Sequence, residues 1–230
     1  MKTSIIVPCY NEVSTINEII DKINKIDIEK EIIIIDDFST DGSKEKIKNN
    51  IEKKYDNVIA IYHQKNCGKG AAIRSGIKKV TGEIVVIQDA DLEYNPNDYY
   101  ELINPIKEGY ADVVYGSRFK GSKVTRKLYF VNRIANYGLT FISNILTNLD
   151  LTDMETCYKV FKSDIIKKIK IEEDRFGFEP EITAKIAKLK CRVCEIGVSY
   201  YGRTYQEGKK ITWKDAFSAL YCVLKYNIFK

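Results

Sequence analysis

Three observations predict an α/β fold built on a mostly parallel sheet. Short, continuous apolar runs alternate with amphipathic segments through the first half of the chain, as strands buried on both faces and covered by helices must do. Polar residues gather just after each of those runs, where an open parallel sheet binds its ligands. No internal repeat or low-complexity linker breaks the pattern, so the 230 residues read as one domain with room for a substantial core.

The elements follow in order. "TSIIV" (residues 3–7) is a strand, and "STINEIIDKINKI" (14–26) a helix with Ser14 in the N-cap position. "EIIIIDD" (31–37) is a second strand, followed by a helix that begins near Asp41. "NVIAIYH" (57–63) and "GAAIRSGIKKV" (70–80) repeat the unit, and "EIVVIQD" (83–89) is the fourth strand. A helix within 97–107, interrupted at Pro105, leads to "ADVVYGSR" (111–118). The second half differs: residues 116–127 are polar and glycine-containing, as in a mobile loop. "VNRIANYGLTFISNIL" (131–146) reads as a helix, "CYKVFK" (157–162) as a short strand and "EPEITAKIAKL" (179–189) as a helix. "CRVCEIGVSYYGR" (191–203) is a strand, "TYQEGKK" (204–210) a loop, and a long amphipathic helix starts at Ile211.

Bulk properties narrow the function. With 44% hydrophobic and 30% charged residues the composition is that of an ordinary globular protein. The net charge of +5 is mild, and lysines spread over helix faces account for it without a nucleic-acid partner. The N-terminus is not a signal peptide, since its apolar run reaches only Val7 before Pro8. No stretch approaches the ~18 apolar residues of a spanning helix. A cytoplasmic protein is expected, and the six scattered cysteines are then free thiols. Cys191 and Cys194 lie three apart in a strand, on opposite faces, with no second pair to complete a zinc site.

Five strand ends outline a crevice: Pro8-Cys9-Tyr10-Asn11-Glu12, Asp36-Asp37, Asn66-Cys67-Gly68-Lys69-Gly70, Asp89-Ala90-Asp91 and Gly116-Ser117-Arg118. "CGKGAAIRSG" lacks the Walker A spacing and the third glycine of a dinucleotide fingerprint, although its helix start can face an anion. Asp89, Asp91 and Glu93 crowd three carboxylates together, which repel unless a cation or hydrogen-bond donors share the site. Hard oxygen ligands suit Mg²⁺ or Mn²⁺, and two carboxylates leave room in the ion's shell for a diphosphate.

The motifs "SIIVPCYNE", "IIIIDDFSTDGS", "NCGKGAAIRSG", "IVVIQDADLEYNP" and "DVVYGSRF" resemble those of the family 2 glycosyltransferases with the GT-A fold. Within that family the pattern is similar to the dolichol-phosphate mannose synthase branch and its bacterial polyprenyl-phosphate relatives. The resemblance covers roughly residues 3–210 and implies a Rossmann-like sheet with a smaller acceptor-side lobe. Residues 1–118 would then bind the nucleotide-sugar and residues 119–230 the acceptor.

The same resemblance implies residue roles. Pro8, Tyr10 and Glu12 would line the nucleoside pocket, with Glu12 on ribose hydroxyls and Asp37 near the base or ribose. Lys69 and Arg74 would lie beside the nucleotide, and Ala90 sits within the Asp89–Asp91 pair. Asp89, Asp91 and Glu93 would hold the metal. Arg118 and Arg133 would face phosphate, and Arg203 and Lys210 would bear on the acceptor phosphate. Asp153 and Glu155 lie in an acceptor-side motif. The implied activity is inverting, metal-dependent transfer from a donor of the GDP-mannose or UDP-glucose type to a lipid phosphate.

Two acceptors require different chemistry. A sugar hydroxyl needs a general base, for which Asp153 or Glu155 would serve. A phosphate monoester is already a dianion at neutral pH and needs cations to position it, such as Arg118, Arg133, Arg203 and Lys210. The lipid phosphate is the favoured acceptor. His63, the only histidine, is read as structural. A sugar nucleotidyltransferase would carry a glycine-rich loop after the first strand, where "PCYNE" stands instead. A non-catalytic nucleotide-sugar binder is the remaining alternative. From Trp213 an apolar stripe (Ala216, Phe217, Leu220, Tyr221, Val223, Leu224, Ile228) predicts a helix packed on its own domain or lying in a membrane interface, and the helix of 131–146 would extend that surface or make an oligomer contact.

Overall fold

The structure, a computed structural model, describes every residue except Ser122, Lys127, Leu128, Tyr205, Lys209, Lys210, Ile211 and Thr212, and describes only the backbone of Trp213 and Lys214. Four parallel strands come first: β1 (Thr3–Cys9), β2 (Lys30–Asp36), β3 (Val58–Tyr62) and β4 (Ile84–Ile87). They are joined by α1 (Ile16–Lys25), by α2 (Ser43–Lys46) running through a wide π turn at Ile47–Ile51 into α3 (Glu52–Lys54), and by α4 (Lys69–Ile77). α5 (Tyr99–Lys107) leads to β5 (Val113–Ser117). The second half comprises β6 (Thr125–Arg126), α6 (Phe130–Thr147), β7 (Lys159–Lys162), α7 (Ser163–Lys168), α8 (Phe178–Lys188), β8 (Val193–Gly197), β9 (Tyr200–Tyr201) and α9 (Trp213–Leu224).

The strand order is β3-β2-β1-β4-β7-β5-β8, with β6 and β9 in a separate two-stranded ribbon. β7 runs antiparallel to both β4 and β5, so the sheet is mostly rather than wholly parallel. Ile5, Ile6 and Val7 of β1, Ile32–Ile35 of β2 and Ile84–Ile87 of β4 are buried on both faces, which is why these strands are apolar without alternation.

The order reverses between β1 and β4, and there the crevice opens. β1 pairs with β2 as far as Cys9 opposite Asp36, but with β4 only from Thr3 to Ile6. Beyond Ile6 one edge of β1 is bare. Pro8, which has no N–H to give, falls in that overhang, where a central strand tolerates it.

Several local expectations are corrected. Thr15, not Ser14, precedes the first helix, and it caps nothing with its side chain; its hydroxyl instead donates to Glu12 Oε2 at 3.0 Å. Pro105 lies inside α5 without interrupting it, because the residue is in the last turn and its carbonyl accepts from Tyr110 and Ala111 beyond the helix end. Gly116 and Ser117, read as loop, complete β5 and are buried, and Thr125–Arg126 pairs with β9. The strand expected over 191–203 divides into β8 and β9, with Gly197 lodged against Lys120, whose carbonyl oxygen would meet an added Cβ at 2.0 Å. Cys191 precedes β8, and both it and Cys194 pack against the core as free thiols.

At the opposite end of the sheet from the crevice, Glu31 ties β2 to β1 and to the turn before β4. It accepts from Lys2 Nζ at 2.7 Å, Thr81 N at 2.7 Å and Thr81 Oγ1 at 2.6 Å, and from Ser4 Oγ. Burial opposes its charge, but these donors prevail and hold the carboxyl down at about 2, against 4.5 for a free glutamate. A carboxyl lowered on folding contributes stability that is complete above the unfolded value near 4.5 and is lost as pH falls toward 2. Glu31→Gln should therefore cost about 1–3 kcal/mol at pH 7. Chemical denaturation at pH 7 and pH 3 checks this: the gap between variant and wild type should narrow at pH 3, and an equal gap at both would refute it.

Candidate functional site

The loops that follow β1, β2 and β4 each carry a non-glycine residue in the left-handed region: Asn11 (φ 51°), Phe38 (φ 65°) and Leu92 (φ 64°). Such conformations cost about 1–3 kcal/mol each and persist only where surrounding contacts over-determine them. The turns at Asn11 and Leu92 help bring Glu12, Asp91 and Glu93 together around Arg203.

The carboxylates at the end of β4 are the dominant electrostatic feature. Burial pushes Asp91 up to about 7, and the negative charges of Asp89 and Glu93 add to that, offset in part by Arg203. Two cations answer the cluster. Lys69 Nζ lies 3.1 Å from Asp89 Oδ1 and 3.0 Å from Glu179 Oε1. Arg203 reaches Asp91 Oδ2 at 2.9 Å and both oxygens of Glu12 at 3.1 Å, and its backbone N–H donates to Glu93 Oε1 at 2.7 Å. Three hard oxygen donors with more negative charge than their burial favours fit a divalent ion of the Mg²⁺ or Mn²⁺ type.

At the end of β1, Glu12 is buried beside Arg203, while Pro8 and Tyr10 line the open edge of the strand, Tyr10 being exposed. Asp37 is buried and fully engaged. Its Oδ1 accepts from His63 Nδ1 at 2.7 Å and Cys67 N at 2.8 Å, and its Oδ2 from Gly68 N at 2.6 Å. The anion at the start of α4 is thus an internal carboxylate. His63 also meets Ser75 Oγ at 2.9 Å, in keeping with a structural role. Donor atoms of Asp37, His63 and Cys67 lie within 4.8 Å of one another, but these hydrogen bonds already account for the grouping. The glycines of this loop serve a close approach: a Cβ on Gly70 would stand 2.1 Å from Glu173 O, and one on Gly68 2.4 Å from Asp174 O. Arg74 is committed to the same loop, through Asp174 Oδ1 at 2.6 Å and Ile171 O at 3.3 Å. Ala90 is buried between the two aspartates.

Just beyond β5, Arg118 and Asp153 form a two-pronged pair, Nε to Oδ2 and NH2 to Oδ1, both at 2.7 Å. Asp153 is wholly buried and also accepts from Arg118 N and Asn136 Nδ2. It has neither exposure nor a disengaged oxygen for a general base, and its bonds fix the Arg118 guanidinium in place. Arg133 is exposed on α6, and its guanidinium and that of Arg118 both lie by the Phe119 ring, at 5.8 and 5.6 Å from its centroid. Arg203 faces the donor-side carboxylates rather than this pair. Lys210 lies outside the described residues.

Sequence reasoning missed Glu179, Lys159 and Tyr200. Glu179 sits in the first turn of a helix whose apolar pattern gives no sign that its acids are buried. Lys159 is fully buried in β7, bonded to the Thr156 carbonyl, and burial lowers its pKa. Tyr200 donates to Glu93 Oε2 at 3.0 Å and lies under Arg118, 5.3 Å from guanidinium to ring. Glu155 is pushed up to about 8, by burial first and by Glu179 next, and its Oε1 is buried without a hydrogen-bond partner.

If Asp153 aims Arg118, Asp153→Asn strands a buried guanidinium against an amide. Breaking a buried pair in this way costs about 3 kcal/mol or more. Thermal and denaturant melts should show the loss, and a variant that melts with the wild type would show that the pair carries no such load.

The sequence profile described as "Glycosyl transferase family 2" matches residues 4–170. An uncharacterized protein of Methanocaldococcus jannaschii is 30% identical over 98% of this chain and 92% of its own length. The UDP-N-acetylglucosamine–dolichyl-phosphate N-acetylglucosaminyltransferase of Methanococcus voltae is 27% identical over 98% of this chain and 96% of its own. The dolichol-phosphate mannosyltransferase of Pyrococcus furiosus is 29% identical over 92% of this chain, which spans 61% of that protein. Glucosyl-3-phosphoglycerate synthase of Mycobacterium tuberculosis, crystallised with Mn²⁺, UDP and phosphoglyceric acid, superposes with a TM-score of 0.75 at 16% identity, over 100% of this chain and 79% of that one. Sheet order, crevice and profile agree, and the chain belongs to glycosyl transferase family 2, as a glycosyltransferase with the GT-A fold.

Proposed function

We propose that this glycosyltransferase moves a sugar from a nucleoside diphosphate-sugar, of the GDP-mannose or UDP-glucose type, to a polyprenyl phosphate of the dolichyl type, with inversion at the anomeric carbon. The observation that carries the reading is the adjacency of two charge clusters. Asp89, Asp91 and Glu93 follow β4, Arg118 and Arg133 gather around Phe119, and Tyr200 joins the two groups, its hydroxyl on Glu93 and its ring against Arg118. The dolichyl-phosphate relatives of Methanococcus voltae and Pyrococcus furiosus support the same acceptor class.

Asp89, Asp91 and Glu93 would hold Mg²⁺ or Mn²⁺, which when bound offsets the charge gathering on the departing diphosphate. The protein's own groups do the rest. Glu12 orients the ribose, and Lys69, fixed between Asp89 and Glu179, presents a positive charge beside the diphosphate. Arg118, aimed by Asp153, and Arg133 hold the acceptor phosphate, which is a nucleophile at neutral pH without a base. Its oxygen bonds to the anomeric carbon as the bond to the diphosphate oxygen breaks on the opposite face, and that electron pair leaves with the nucleoside diphosphate.

A second reading rests on Glu155. A carboxyl near 8 with a buried, unpartnered oxygen has the proton affinity a general base needs for a sugar hydroxyl. Glu155→Gln separates the two: it should spare transfer to a lipid phosphate and abolish transfer to a hydroxyl.

The decisive assay offers UDP-, GDP- and dTDP-sugars with phytanyl phosphate in Mg²⁺ or Mn²⁺. Transfer should vanish in excess chelator and in Asp91→Asn, with the variant still folded, and NMR should find a β-linked product from an α-linked donor. Full activity in chelator, or an α product, would sink the proposal.

Access to a lipid acceptor is served by α6, which is turned inside out. Its buried residues are polar, Thr140 and Ser143, and Asn136 and Asn144 bond to Asp153 and Leu151, while Phe130, Val131, Ile134, Tyr137, Phe141 and Ile145 are each more than half exposed. In α9 the apolar stripe divides: Ala219, Cys222 and Val223 are buried, whereas Tyr221, and Ile228 beyond the helix, face outward. The Trp213 side chain lies outside the described residues. Among the described residues no helix is long and apolar enough to cross a membrane. The outward faces fit the boundary of a bilayer, where an amphipathic helix lies flat. Flotation with anionic liposomes tests this: the wild type should bind at low salt, and a Val131→Ser/Ile134→Ser/Phe141→Ser variant should not. Equal flotation of both would refute the contact.

A further inference from the structure

Arg203 stands in an unexpected place. The family resemblance gives it to the acceptor phosphate, yet its guanidinium turns to the donor-side carboxylates. NH2 lies 2.9 Å from Asp91 Oδ2, and NH1 and NH2 each lie 3.1 Å from an oxygen of Glu12. The approach is secured by the backbone: Arg203 N–H donates to Glu93 Oε1 at 2.7 Å, and Tyr201 N–H to the Glu93 carbonyl at 2.8 Å. Tyr200 adds a hydroxyl to Glu93 Oε2 and a bridge to Tyr94, so β9 is docked on the loop that carries the aspartates.

The seat is good without being complete. Arg203 Nε is buried with no hydrogen-bond partner, at 3.9 Å from the nearest Glu93 oxygen. An unmade hydrogen bond of a buried charged donor is costly, so the guanidinium is held chiefly by the negative charge around it. That same charge is what a divalent cation would use. A divalent ion on Asp91 and Glu93 would repel a guanidinium held by the same carboxylates and so weaken its seat.

We infer that Arg203 is a displaceable counter-ion, paired with Glu12, Asp91 and Glu93 until a divalent cation and its nucleotide replace it, and released by that exchange to the acceptor phosphate. The inference rests on the reading of the acceptor as a phosphate. Charge is conserved in kind at both ends: the carboxylates exchange one cation for another, and the freed arginine meets a new anion. Glu93 accepts from both the Arg203 N–H and the Tyr200 hydroxyl, and the Tyr200 ring lies against Arg118, so one tyrosine stands between the two arginines. Two consequences follow. Binding of cation and binding of acceptor phosphate become positively coupled, and by linkage the coupling is the same in either order of addition. The acceptor is also met by its full set of arginines only when a donor is in place.

The experiment uses the full chain, with Mn²⁺ binding read from the free-ion paramagnetic resonance signal in the absence of nucleotide. Arg203→Gln removes the competitor and should tighten Mn²⁺ about tenfold, a usual size for coupled sites. Arg203→Lys, which keeps the charge but not the fork, should tighten it less, and thermal melts confirm that both variants are folded. In a second arm farnesyl phosphate is titrated with and without Mn²⁺ and whichever of UDP or GDP binds. The wild type should bind farnesyl phosphate about tenfold more tightly with Mn²⁺ and nucleotide present, and Arg203→Gln should bind it equally in both conditions. Mn²⁺ affinity unchanged or weakened in Arg203→Gln would overturn the inference. A wild type indifferent to Mn²⁺ and nucleotide in its farnesyl phosphate affinity would overturn it as well. Failure of farnesyl phosphate to bind in any condition would instead defeat the phosphate-acceptor reading on which the inference stands.

Discussion

Negative charge packed into a low-dielectric crevice is the constraint to which the rest of the structure answers. β4 is short and wholly apolar, and it delivers Asp89, Asp91 and Glu93 within a few residues of the sheet's core. Burial makes the charged form of Asp91 unfavourable, and the charges of Asp89 and Glu93 add to that, as its elevation to about 7 records. Such an arrangement is tolerable only with cations brought from elsewhere. Both of those identified come from a distance in sequence: Lys69 from the start of α4, and Arg203 from beyond β9.

Those cations add to a union of the two halves that the sheet already makes, since β7 and β8 of the second half pair with β4 and β5 of the first. Lys69 of the first half is clamped by Glu179 of the second, and Glu12 of the first by Arg203 of the second. The glycine loop before α4 fits against Glu173 and Asp174 so closely that no side chain is admitted at Gly68 or Gly70. Glu181, buried in α8, holds that same loop by accepting from the N–H groups of Glu172 and Glu173 at 2.7 and 2.8 Å. A charged cluster drawn from both halves gains geometric definition from ion pairs that as isolated contacts would add little net stability.

Much of this was legible in the residues. Apolar runs without alternation gave away the buried parallel strands, and the polar residues at their ends located the crevice, because backbone periodicity and the strand-end rule are local properties. What escaped was non-local. Nothing in "FEPEI" distinguishes a solvated helix-capping acid from Glu179, buried and bound to Lys69, and the antiparallel insertion of β7 between β4 and β5 is invisible to strand-by-strand reading. Asp153 shows a further limit. A carboxylate in an acceptor-side motif reads as a base, and only its four hydrogen bonds and complete burial reveal a group that positions an arginine.

α6 carries the same lesson into function. An apolar stripe on a helix normally faces the core, and the sequence of 131–146 satisfies that pattern in every respect but orientation. The reason for its reversal is chemical: Asn136, Thr140 and Asn144 are required inward, where they bond to Asp153, Met154 and Leu151 and so support the segment that aims Arg118. With the polar face spent on the site, the apolar face has nowhere to go but out. The helix that steadies Asp153, and through it Arg118, is thereby also the one that presents apolar surface to the outside.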